Sequence, residues 1–255
     1  LSPIALVRTF QSCREVNAAV SAYTKRAFDI RILLRRYFED PDDFLAVLSR
    51  TSALISGSTA LQFFSRTCYP DSDLDLYVNM CSRRELGRWL LSAGYKFAPN
   101  RSQHQDFEAA VTDMQQVRRL SYHMPGVASI YTFLRPEIRD GLLTLSKVQV
   151  IVACRTPMEV ILGFHSTCVM NVICYDKAYC LFPRATLEEQ RSLLSYSTQG
   201  RATRRVEGIW KYTSRGFTMI THLADDEVLS PIHPTASFMF GPRMLGDRAM
   251  WTITL

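Results

Sequence analysis

Two short segments carry residue types suited to phosphate and metal chemistry: Gly57-Ser58-Thr59, and Asp73-Leu74-Asp75 sixteen residues later. Residues i and i+2 of a strand project to the same side, so Asp73 and Asp75 point together while Leu74 and Leu76 turn to a core. Paired carboxylates repel and raise each other's pKa. Magnesium, or manganese, relieves that repulsion because it takes hard oxygen ligands. Upstream, a short apolar run over residues 52–56 ends at Gly57, and the pattern predicts a helix over residues 60–65. Glycine at such a join lets a ligand approach the backbone, and the helix start offers unpaired N–H groups and a positive dipole end. The Ser58 hydroxyl can touch a phosphate oxygen, with Gly57 and Thr59 on either side. The same residues also fit a plain strand–helix join and an acidic face at a sheet edge, with Asp71 and Ser72 as turn residues.

Further candidates come from residues that periodicity places near this pair. Lys211 and Arg215 lie four apart on an expected helix, so they share a face and can meet phosphate, an acidic strand or solvent. Gln149 lies on an apolar strand over residues 145–153 that contains neither Asp nor Glu. His165 can serve as a metal or phosphate ligand, or as a hydrogen-bonded structural residue.

The elements that must position these groups follow from pattern. Helices are expected over residues 16–38, 44–48, 82–92, 105–120, 157–164, 187–194 and 204–212, with Gly94 closing the third. Strands are expected over 74–78, 127–134, 142–153, 169–182 around a Tyr175-Asp176-Lys177 turn, and 250–255. Arg139-Asp140-Gly141 between two apolar runs is a hairpin signal. The domain reading is an N-terminal helical segment (1–45), a core (46–183), and C-terminal helices, loop and final strand packed on it (184–255).

Composition permits a sizeable core: 47% of the 255 residues are hydrophobic. The formal charge of +6 fits a nucleotide or nucleic-acid partner, although the basic residues are scattered. No apolar run reaches the roughly 20 residues that span a bilayer. The chain starts at Leu1 and ends on a strand, which reads as a piece of a longer protein. The absence of a signal-like leader gives an intracellular expectation, cytoplasmic or nuclear. Seven cysteines carry no Cys-x-x-Cys pair, which points to reduced thiols in a reducing compartment. Cys168, Cys174 and Cys180 recur at even intervals and are read as one buried strand face.

Residues 55–61, Ile-Ser-Gly-Ser-Thr-Ala-Leu, followed by 72–78, Ser-Asp-Leu-Asp-Leu-Tyr-Val, resemble the Gly-Ser … Asp-x-Asp signature of the nucleotidyltransferase (DNA polymerase β-like) superfamily. Nucleotidyltransferase-like proteins common in fungi are the nearer resemblance. Residues 147–151 (Lys-Val-Gln-Val-Ile), 164–167 (Phe-His-Ser-Thr) and 211–217 (Lys-Tyr-Thr-Ser-Arg-Gly-Phe) extend it, so that it covers residues 38–217. It implies an α/β (α+β) fold, a mixed sheet flanked by helices with a C-terminal helical and loop extension. It also implies that Gly57-Ser58 hold a nucleoside triphosphate, and that Asp73 and Asp75 bind two Mg2+ (or Mn2+) ions for attack on the α-phosphate. Active members carry a third carboxylate on a later strand, where this chain offers Gln149. Position 165 is histidine where similar proteins carry aspartate.

Three functions therefore stand as expectations. The first is a nucleotidyltransferase acting on an unknown acceptor. The second is a catalytically inactive nucleotide-binding or interaction module. The third is a nucleic-acid-binding domain.

Overall fold

The computed structural model describes residues 14–70, 72–113, 126–139, 141–195, 202–229, 236–239 and 241–255. The amino-terminal helical stretch is two helices, α1 (Arg14–Ala27) and α2 (Ile30–Leu34), rather than the single helix that its periodicity suggests. The break is chemical: the Asp29 side chain accepts from the Arg31 N–H and starts a new helix. Asp40 caps α3 (Pro41–Thr51) in the same way, accepting from the N–H groups of Asp42 and Asp43, with proline in the first turn.

The site region comes next. Strand β1 (Leu54–Ser56) runs straight into α4 (Gly57–Ser65), and β2 (Leu74–Asn79) follows. Helix α5 (Arg83–Ser92), short strand β3 (Lys96–Ala98) and α6 (Phe107–Thr112) lead to a long hairpin of β4 (Val127–Arg139) and β5 (Leu142–Ala153). The expected helix over 105–120 is seen only to Thr112; residues 114–120, with Asp140 and Asp71, lie outside the described residues. Helix α7 (Pro157–Leu162), strands β6 (Asn171–Ile173), β7 (Lys177–Cys180) and β8 (Arg191–Leu193), and helix α8 (Ala202–Thr213) complete the environment of the site. β9 (Thr218–Ile220), α9 (Asp225–Leu229) and β10 (Trp251–Thr254) close the chain.

The result is a mixed α/β fold around an eight-stranded sheet of order β10-β7-β6-β1-β2-β5-β4-β3. Within it β2 and β5 run parallel and the other pairings are antiparallel. One sheet face carries Leu74, Leu76, Val148, Val150 and Phe133 into a core shared with Leu34, Phe38, Phe44, Leu86 and Leu90 of the flanking helices. The other face carries Tyr77 and Ile151 under Val160 and Ile161 of α7. Because β-strand side chains alternate, these two cores fix the facing of every residue between them.

The expected helix over 187–194 does not form. Residues 191–193 are strand β8, paired parallel with β9. The Leu193 N–H donates to Thr167 Oγ1 and the Cys168 N–H donates to Ser192 Oγ, so tertiary bonds override helical pattern. The three cysteines do not share a strand face: Cys180 lies in the first core, Cys174 beside the second and Cys168 in a third cluster with Leu61 and Tyr212. Among the described residues no helix is long and apolar enough to cross a membrane.

Candidate functional site

Helix α4 begins directly at the end of β1. Ser56 occupies its N-cap, yet the Ser56 hydroxyl donates to the Asn171 carbonyl at 2.6 Å and does not cap the helix. The first turn of α4 thus has no side-chain cap, and its residues Gly57, Ser58 and Thr59 are buried. Gly57 adopts φ +70°, a backbone state that favours glycine. The carboxylate of Asp75 fills the space beside it: a Cβ on Gly57 would stand 3.0 Å from Asp75 Oδ2. The Asp75 carboxylate therefore occupies the space beside Gly57 where the sequence pattern expected a ligand to approach the backbone.

The sheet register brings the remaining groups together. Ser56 of β1 pairs with Asp75, and Gln149 of β5 pairs with Asp75 on its other side. Gln149 thus stands beside Asp75, and its amide donates weakly to Thr132 Oγ1 at 3.5 Å. One rung outward on the same face, Lys147 Nζ donates to Asp73 Oδ2 at 2.6 Å. Both side chains remain about one-third exposed, at 36% and 34%, so the pair faces solvent rather than the core.

The electrostatics follow from this arrangement. Burial, then the charge of Asp73, push the Asp75 carboxyl up to about 7, while Lys211 and Lys147 act in the opposite sense. These are the charged groups that act on Asp75; no third carboxylate does so among the described residues. The Lys211 ammonium is held below its ordinary value by desolvation and by Arg215, although its side chain still reaches solvent. Lys211 feels both aspartates and Lys147, so it shares their electrostatic field.

Other sequence candidates take more structural positions. The Thr59 hydroxyl donates to the Asp73 carbonyl at 2.8 Å, so it ties α4 to the start of β2 rather than reaching outward. Arg215 lies beyond the end of α8, not on it with Lys211 as the four-residue spacing suggests. Its guanidinium stacks 3.7 Å from the Tyr69 ring centroid and 5.2 Å from that of Tyr212. His165 is half-buried under α8, its ring against Gly208 and 5.7 Å from the Tyr212 ring. The residues to which pattern reading gave no role are Lys147 and Tyr69. A signal for Lys147 did exist, since it stands two residues before Gln149 on the same strand face.

These donors do not fit a pair of catalytic magnesium ions. Such a pair needs carboxylates free to bridge it, but Asp73 is engaged by an ammonium and the strand neighbour of Asp75 is the amide Gln149. Among the described residues no group of three or more His, Cys, Asp or Glu side chains is arranged to hold a metal. What the arrangement can do is attract an anion once Asp75 is protonated: Lys147 and Lys211 then outnumber Asp73, and the buried first turn of α4 adds its dipole end beside them.

No protein-family model matches the chain, and neither a curated protein nor a solved structure matches it.

Proposed function

We propose that this chain is a non-catalytic module that binds a phosphorylated ligand, a nucleoside triphosphate in the first instance, on a nucleotidyltransferase-type sheet. The observation that carries the reading is the Lys147–Asp73 contact at 2.6 Å. The ammonium supplies in the protein itself a positive charge that a transferase would take from a metal ion. A lysine cannot polarise a phosphoryl oxygen or activate a hydroxyl as a divalent ion does. It can hold phosphate as a point charge beside the dipole end of a helix. Any magnesium in the complex would then arrive on the nucleotide's own phosphates. Protonation of Asp75, whose carboxyl is held at about 7, makes the cluster favourable to an anion.

Titration of labelled ATP, GTP, CTP and UTP with and without magnesium tests this. Binding should persist without magnesium, weaken by about tenfold or more in Lys147→Ala/Lys211→Ala, and release no pyrophosphate. Failure of every nucleotide to bind overturns the reading. Magnesium-dependent pyrophosphate release overturns it in favour of a transferase.

A further inference from the structure

The face that carries the aspartates does not end at Lys147. β4 and β5 stay in register from Ser129↔Val152 to Arg139↔Leu142, so the alternation of β5 continues outward through Leu145 and Leu143. Their β4 partners on that face are Pro136 and Ile138, and Leu134 stands opposite Lys147. Three of these side chains are widely exposed: Ile138 79%, Leu143 77% and Leu145 63%. Read along one face, the sheet passes from the buried Tyr77 and Ile151, through the Asp75/Gln149 and Asp73/Lys147 rungs, to an exposed apolar strip.

The strip is held outward by the opposite face of the same hairpin. Arg135 donates to the carbonyls of Tyr37 at 2.8 Å and Ala93 at 3.2 Å, pairs with Glu137 at 2.8 Å, and stacks on Tyr95. These bonds anchor the inner part of that face on the core, while Leu142 at its tip is exposed as well, at 69%. Contiguous exposed apolar surface beside a polar site marks a binding surface. Same-face neighbours on a strand lie about 7 Å apart, so Leu145 and Leu143 stand at about 7 and 13 Å from Lys147 along β5.

Resting on the anion-binding reading, we propose that the same phosphate site also takes a second class of ligand, a single phosphorylated amphiphile. Its phosphate head lies at Lys147 and Lys211, and its apolar chain lies along Leu134, Leu145 and Leu143. Two features favour one amphiphile over a membrane surface. The strip is only one strand pair wide, and Lys147 stands at its inner end, one rung from Leu145.

Calorimetric titration of the full chain with ethyl phosphate, with dodecyl phosphate below its micelle concentration, and with phosphatidylcholine vesicles containing phosphatidic acid tests the proposal. Each methylene taken out of water adds up to about fourfold in affinity, so dodecyl phosphate should bind at least about thirtyfold more tightly than ethyl phosphate. Leu143→Ser/Leu145→Ser changes only exposed side chains. It should remove that gap while ethyl phosphate and nucleotide affinities stay unchanged, and Lys147→Ala should weaken both phosphates. Equal affinity for the two phosphates overturns the amphiphile and leaves the anion site standing. So does a gap that survives the double substitution. Binding of vesicles without binding of monomeric dodecyl phosphate overturns it in favour of a membrane surface. If ethyl phosphate, dodecyl phosphate and every nucleotide fail to bind, the anion-binding reading falls as well.

Discussion

Lys147 Nζ lies 2.6 Å from Asp73 Oδ2, across the parallel pair formed by β2 and β5. Both groups are about one-third exposed, so the pair contributes little to folding, about 1 kcal/mol or less. Its weight is local, because it neutralises one of two adjacent carboxylates. Lys147→Ala should leave the melting temperature nearly unchanged while exposing an uncompensated pair. Nucleotide affinity without metal should fall by about tenfold or more, and Mn2+ binding, followed by electron paramagnetic resonance, should rise. Unchanged values of both would show that Lys147 is a bystander.

Asp75 predicts a pH dependence whose sign can be worked out. An unfolded aspartate titrates near about 3.9, whereas burial and Asp73 hold Asp75 at about 7 in the fold. Between those values the folded chain keeps a proton that the unfolded chain has lost, so this residue makes stability fall as pH rises from about 4 to about 7. Asp75→Asn removes the effect. Its advantage over wild type in urea unfolding should grow through that window and level off above it, on the order of 2 kcal/mol after allowing for partial exposure. Binding of sulfate, which does not titrate in this range, should weaken in the wild type as pH rises through about 7 and stay flat in the variant. A wild type whose stability relative to Asp75→Asn is the same at both ends of the window would overturn the assignment.

The acidic pair was legible because burial of Leu74 and Leu76 fixes the facing of Asp73 and Asp75 through a two-residue period. A tight join at Gly57 was legible from a glycine between strand and helix, but that Asp75 fills the space beside it was not. The ion pair was not, since it depends on the register of β2 against β5, which brings together residues far apart in sequence. Asp29 ended a helix that periodicity alone would continue. At β8, hydrogen bonds from Leu193 and to Ser192 outweighed an amphipathic pattern. Arg215 illustrates a different limit. Spacing put it on a helix face with Lys211, but the helix stops at Thr213 and a tyrosine from the loop after α4 takes the guanidinium.

That tyrosine gives a third prediction. Tyr69 is fixed from two sides: its N–H donates to Gln62 Oε1 at 2.7 Å, and its carbonyl accepts from Arg36 Nη2 at 3.0 Å. Stacking of Arg215 on its ring ties the end of α8, and with it Lys211, to the loop ahead of β2. Tyr69→Ala should cost about 0.5–2 kcal/mol of stability and weaken nucleotide binding by about threefold to tenfold through misplacement of Lys211. Tyr69→Phe keeps the ring and should restore both. Loss of binding in the phenylalanine variant would instead assign the role to the hydroxyl.

Gly57 and Gly141 provide an internally controlled fourth test. Both hold positive φ, +70° and +77° respectively. Alanine at either position must adopt a left-handed conformation, at a cost of roughly 1–2 kcal/mol. Their surroundings differ: a Cβ at Gly57 meets Asp75 Oδ2 at 3.0 Å, whereas one at Gly141 meets nothing within 4 Å. Gly141→Ala should therefore lower stability with ligand affinity intact. Gly57→Ala should lower stability at least as much, and it should also shift either the Asp75 carboxylate or the first turn of α4. Because the proposed phosphate site uses both, nucleotide affinity should fall by about tenfold or more in Gly57→Ala alone. Equal affinities in the two variants, each measured well below its melting temperature, would remove the start of α4 from the binding site.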